Sequence, residues 1–156
     1  MHILFWLSAF LGLWQASSTL RIERSVLLNN DRSFICTPEQ TVTIQAGGAG
    51  IQAVSIELDI SMSEQEWMQL QQSRRAPIVF KWFRFSGARL FITNVSQDAN
   101  ANSRNTITRS GNRIIYRANA TNDRITSGTW VIKPVYANNE AILINGKELT
   151  YQFRVP

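Results

Sequence analysis

The stretch Pro77–Val95, PIVFKWFRFSGARLFITNV, constrains the fold of this chain more than any other. Two β-prone runs meet at Ser86-Gly87, where glycine accepts a positive φ without steric cost, which predicts a tight turn. The first run carries Ile78, Val79, Phe80, Trp82, Phe83 and Phe85, and the second Leu90, Phe91, Ile92 and Val95. Lys81, Arg84 and Arg89 are threaded through them. Such a segment must bury two apolar strand faces, so it reads as the central hairpin of a β-domain. A two-residue loop of Ser86-Gly87 sets Arg84 opposite Arg89, Phe83 opposite Leu90 and Trp82 opposite Phe91. Alternation then puts Phe80, Trp82 and Phe91 on one face, and Phe83, Phe85, Leu90 and Ile92 on the other. A three-residue loop that includes Ala88 flips the second strand's faces, so the register stays open. In the first register two arginines confront each other, which is unfavourable unless an anion or carboxylate lies near.

The rest of the chain supplies strands for that hairpin to pack with. In Ile51–Ile60, Val54, Ile56, Leu58 and Ile60 take one face, and Ser55, Glu57 and Asp59 the other. Glu57 and Asp59 therefore point the same way, a pattern that serves acid–base chemistry or calcium in some proteins and cross-strand pairing with arginine in far more. Asn112–Ala120 turns Ile114, Tyr116 and Ala118 inward and Arg113 and Arg117 outward. Thr129–Ala137 directs Trp130, Ile132 and Tyr136 one way, and its Pro134 cannot donate to a ladder, which predicts an edge strand or a bulge. Asn145-Gly146 is a type I′ hairpin signal, and Leu149–Val155 closes the chain with Leu149, Tyr151, Phe153 and Val155 inward. Phe34–Thr37 and Thr41–Ala46 read as strands broken at Pro38. Thr19–Arg32 reads as an arm or edge strand, and Ser96–Gly111 as a long polar loop. The glycine-rich segment 46–50 lacks the GxGxxG spacing of a phosphate cradle.

One helix interrupts the strands. Ser61-Met62-Ser63-Glu64-Gln65-Glu66 holds two overlapping S-x-x-E capping boxes. Strong helix formers run on to Gln72, with Trp67, Met68 and Leu70 as the apolar patch and Arg74 and Arg75 at the C-terminal end. It reads as a cap on the sandwich or its edge.

The first residues stand apart. Ile3–Trp14 is a 12-residue apolar run interrupted only by Ser8 and Gly12. That length is too short to span a bilayer and suits a signal-peptide core, with Ala16 and Ser18 at the −3 and −1 positions of a cut before Thr19. Residues 1–18 are thus expected to be a leader, a retained anchor being the alternative. Residues 33–156 are expected to form a single domain, and the product is secreted or periplasmic with no membrane span left. Cleavage takes away the only histidine, His2, and leaves all 16 Lys and Arg and all 11 Asp and Glu, a net charge of +5. Arg outnumbers Lys by 13 to 3, which favours bidentate contacts with carboxylate or phosphate.

The missing chemistry is as informative. Without histidine there is no Ser–His or Cys–His nucleophile and no histidine metal site. The single cysteine, Cys36, allows neither an internal disulfide nor a thiolate cluster, and between β-formers it reads as a buried inert thiol. No catalytic residues, cofactor or metal are assigned; carboxylate-dependent glycan chemistry is the one enzymatic route left. The KWFRF run invites comparison with single-strand nucleic-acid binders, which stack bases on aromatics beside Arg and Lys. It lacks the glycines of the RNA-recognition signature, and nucleic acid is disfavoured for an exported chain. Asn94 and Asn119 fit the glycosylation acceptor pattern. Gly128-Thr129-Trp130 followed by a Tyr-x-Phe-x-Val strand is similar to the way many immunoglobulin-like modules end. The resulting expectation is an antiparallel β-sandwich of immunoglobulin-like type with one short helix, a small closed barrel being the alternative. Its expected function is non-catalytic binding or assembly through an acidic protein surface or an anionic polymer. Lys81, Arg84, Arg89, Arg113 and Arg117 are the candidate contacts. A lipocalin-like carrier and a glycan-active enzyme are the rival functions.

Overall fold

The computed structural model describes residues 20–29, 32–45, 53–76, 78–86, 89–93, 105–121, 125 and 127–156. The leader segment, the 46–50 linker, the Asn94 acceptor and residues 96–104 lie outside them. The described chain is mostly β. Strands β1 (Arg21–Asn29), β2 (Arg32–Ile35), β4 (Ala53–Ser61), β7 (Asn105–Ser110) and β8 (Arg113–Thr121) form one five-stranded sheet in the order β2-β1-β4-β8-β7. Strands β3 (Thr41–Thr43), β5 (Ile78–Ser86), β6 (Arg89–Thr93), β9 (Gly128–Tyr136) and β12 (Tyr151–Val155) form a second in the order β3-β12-β9-β5-β6. β10 (Leu143–Ile144) and β11 (Lys147–Glu148) make a small hairpin. Neither large sheet closes on itself, so the barrel alternative is set aside. Pairing is antiparallel except between β3 and β12, which run parallel.

The two sheets share one core. Leu27, Ile56, Leu58, Ile60, Ile114 and Tyr116 of the first pack in the same buried cluster as Phe80, Trp82, Trp130, Ile132 and Phe153 of the second. The period-2 pattern of β4 drives this: Val54, Ile56, Leu58 and Ile60 are all fully buried. Each such side chain contributes about 1.5–3 kcal/mol on leaving water. At the centre, Phe153 stacks on Trp130 with centroids 6.2 Å apart and meets Trp82 edge-on at 6.1 Å.

Several local readings need correction. β5 and β6 pair with Phe85 opposite Leu90, Arg84 opposite Phe91 and Ser86 opposite Arg89. Ser86 therefore takes the place opposite Arg89 that the expected register gave to Arg84. The slip is by two positions along the partner strand, so the parity of the pairing is unchanged. β9 is not an edge strand, since β12 and β5 flank it. Its pairing with β12 stops at Ile132, however, and Pro134 pairs with Phe80 alone, so the missing donor falls beyond the end of the β12 ladder. The polar stretch 105–110 forms β7, folded back on β8 through Gly111-Asn112. Residues 21–29 form a nine-residue strand between β2 and β4, and so are neither an arm nor an edge strand.

The helix, α1, spans Glu64–Gln72. Of the two capping boxes the second is used: Glu66 N–H donates to Ser63 Oγ at 3.2 Å, and Ser63 N–H to Glu66 Oε2 at 2.7 Å. Arg74 and Arg75 fall past the cap at Ser73, so no basic residue occupies the last turn. Trp67 and Leu70 pack on the core, and Glu66 and Glu64 pair with Arg21 of β1 and Arg109 of β7. The helix thus closes the end of the sandwich where β1 begins. Asn145 and Gly146 take φ of 51° and 77°, the two positive values of a type I′ turn.

Candidate functional site

The five candidate cations divide between the two sheets. Arg113 and Arg117 lie on the outer face of the first. Arg113 donates to Asp59 through Nε, at 2.8 Å, and through Nη2, which raises the arginine's pKa further. Arg117 stands opposite Glu57 across β4 and β8. The two outward carboxylates of β4 are thus matched by arginines, as cross-strand charge pairing favours. Among the described residues no cluster of three or more His, Cys, Asp or Glu side chains is placed to hold a metal.

Arg84 points the other way. It shares the core-facing parity of Phe80 and Trp82 and pairs with Trp130. Its Nη2 donates to the Ser127 carbonyl at 2.8 Å, and its buried Nε has no partner among the described residues. Gly128, with φ of +131°, lies beneath it, and a Cβ there would come 3.3 Å from that Nε. Arg84 therefore plugs the end of the sandwich opposite α1. Arg89 pairs with Ser86 at the start of β6.

Lys81 lies on the outer face of the second sheet, directly opposite Lys133 of β9. Lys133 Nζ is bound to Glu148 Oε2 at 2.7 Å, whereas Lys81 has no acidic partner among the described residues. Register places Arg154 of β12 on the same face, two rows along, because Phe153 between its neighbours is fully buried. Phe83 and Phe85 follow Lys81 on this face, ~7 Å apart along the strand, and Phe85 is exposed. The like-charge confrontation expected of Arg84 and Arg89 thus occurs at Lys81 and Lys133. The sequence names Lys81 as a candidate but neither its face nor its partner, because Lys133 is 52 residues away and only the β5–β9 register brings it alongside.

A second feature is a cleft of about 570 Å³ between the start of β1 and the β10–β11 hairpin. Its floor holds Ser25 Oγ and Tyr151 Oη, 2.6 Å apart and buried, which join the two sheets. Cys36 lies beside them; burial raises its thiol to about 11, and burial likewise pushes the Tyr151 phenol up to about 12. Trp82 and Trp130 do not line it, being packed on Phe153 in the filled core. Compared with known proteins, the sequence matches no family model and no curated protein.

Proposed function

We propose that this chain is a non-catalytic, exported binding module that takes an acidic partner on the outer face of its second sheet. The observation that carries this reading is the placement of Lys81 directly opposite Lys133, with Arg154 on the same face and, among the described residues, only Glu148 paired to a cation there. Like charges set opposite one another destabilise a sheet, so a fold shaped only by stability would rarely place them there. Beside them Phe83 and Phe85 offer apolar area at low conformational cost, the composition of a contact surface. Export rests on the short apolar run and the small-residue site after it; among the described residues no helix is long and apolar enough to cross a membrane.

The sandwich is read as immunoglobulin-like. Taking β1, β4, β8 and β7 as strands A, B, E and D, and β6, β5, β9 and β12 as C′, C, F and G, supports this reading, with β2 and β3 as additional edge strands. A filled core argues against a lipocalin-like carrier, and carboxylates matched by arginines argue against the glycan-active enzyme.

Charge reversal tests the reading. Lys81→Glu with Arg154→Glu should leave the melting temperature within a few degrees, because neither side chain has a described partner. It should lower the salt at which the protein leaves a heparin column or a poly-glutamate matrix, and flatten the salt dependence of capture. A folded double variant that elutes with the wild type would refute the site.

A further inference from the structure

We infer that the cleft between β1 and the β10–β11 hairpin is a binding site for a small anionic amphipath of the alkyl carboxylate class. Its origin lies in the strand pairing. β2 pairs with β1 only over Val26–Asn29, and the register of β1 against β4 shifts between Ile22 and Arg24, which inserts Glu23 as a bulge. A bulge bends and twists its strand. The chain then crosses from the first sheet to the second through Cys36–Gln40, and the gap so framed is left open. Its volume of about 570 Å³ falls in the range of roughly 300–1,000 Å³ usual for small-molecule sites.

The lining fixes the ligand's chemistry. Ile22, Ile144 and Leu149 give an apolar wall, and Ile35 at the mouth is 69% exposed, the most exposed large apolar side chain among the described residues. An alkyl chain laid over Ile35 and the half-buried Ile22 and Ile144 covers area now in water, while Leu149 behind them is already buried. The Ser25 and Tyr151 hydroxyls carry two O–H donors and use one in their mutual bond, which leaves one donor at the floor. At the rim stand Arg24, Arg113 and Glu23. Asp59, the cross-strand neighbour of Arg24, is taken by Nε and Nη2 of Arg113. Arg24 is left with no acidic partner among the described residues, and its guanidinium suits a carboxylate bidentately. Glu23 on the same rim offsets Arg24 in formal charge, so the preference for a carboxylate rests on the unpartnered guanidinium of Arg24 and its N–H donors rather than on net charge.

Decanoate is the probe, with decanol and decyltrimethylammonium as neutral and cationic counterparts, titrated into ¹⁵N-labelled protein. Decanoate should give saturable shifts at the amides of 22–25, 35–38 and 144–151, with decanol weaker and the ammonium weakest. Arg24→Gln should keep the melting temperature and weaken decanoate by about tenfold, the worth of one charge-assisted contact. Ile35→Asp should weaken decanoate and decanol alike. The Lys81→Glu, Arg154→Glu variant should bind decanoate normally, which separates this site from the acidic-partner face. No saturable shift, an ammonium that matches decanoate, an unchanged affinity in Arg24→Gln, or shifts that map to the Lys81 face would each overturn the assignment.

Discussion

Replacing Gly128 by alanine tests the account of Arg84 as a structural plug. The residue opens β9 opposite Val155 with φ of +131°, in the region that side-chain-bearing residues rarely adopt. Holding alanine there costs of order 1–3 kcal/mol. The new methyl would also sit 3.3 Å from Arg84 Nε, so the guanidinium must give by a few tenths of an ångström. That guanidinium is anchored at 2.8 Å to the Ser127 carbonyl, on the residue before the glycine, so it cannot retreat freely. For a domain of this size about 3–4 °C follows each kcal/mol, so Tm should fall by about 3–12 °C. Thermal unfolding followed by circular dichroism reads this directly. The same substitution in an Arg84→Ala background separates the causes: backbone strain persists there, while the steric part disappears. A Gly128→Ala protein that melts within a degree of the wild type would refute both the strain and the plug. Arg84→Ala alone should lower Tm and leave capture by an acidic matrix unchanged per folded molecule.

Cys36, Tyr116 and Tyr151 have folded-state pKa values raised by burial to about 11, 12 and 12, from ordinary values of 9.0, 10.0 and 10.0. The unfolded chain loses these protons first, so stability should stay level up to pH 9 and then fall through pH 12, with Cys36→Ser lacking the earliest part of the fall; a melting temperature level to pH 11 would contradict the burial of the thiol. Ser63→Ala removes the acceptor for Glu66 N–H and should cost ~0.5–2 kcal/mol of stability in urea unfolding. The Ser63 backbone N–H holds the Glu66 carboxyl below its ordinary pKa, so that contribution is present above the ordinary value and is lost as pH falls through the folded one. Glu66→Gln should remove this part of the acid slope.

What could be read from the chain alone is what local periodicity encodes. Val54, Ile56, Leu58 and Ile60 alternate strictly with Ser55, Glu57 and Asp59, and the alternation places four side chains in the core and two carboxylates outside. The same reasoning sets Phe80 and Trp82 on one face of β5 without saying which face is buried, turns Tyr151 and Phe153 inward, and finds the pair of capping boxes and the Asn145-Gly146 turn, because each depends on neighbours a few residues apart. β1 escaped because its bulge at Glu23 breaks the period: Ile22 and Ser25 face the core three residues apart, where a regular strand allows two. β7 escaped because its stability comes from pairing with β8 and not from its own side chains, all exposed from Thr106 to Ser110. The candidate sites were divided for the same reason. Lys81 meets Lys133, Asp59 takes Arg113, and Ile22 faces Leu149 across a cleft only through the order of strands in two sheets. Strand order is set by the burial of both sheets at once, a global free-energy minimum that no single window of sequence contains.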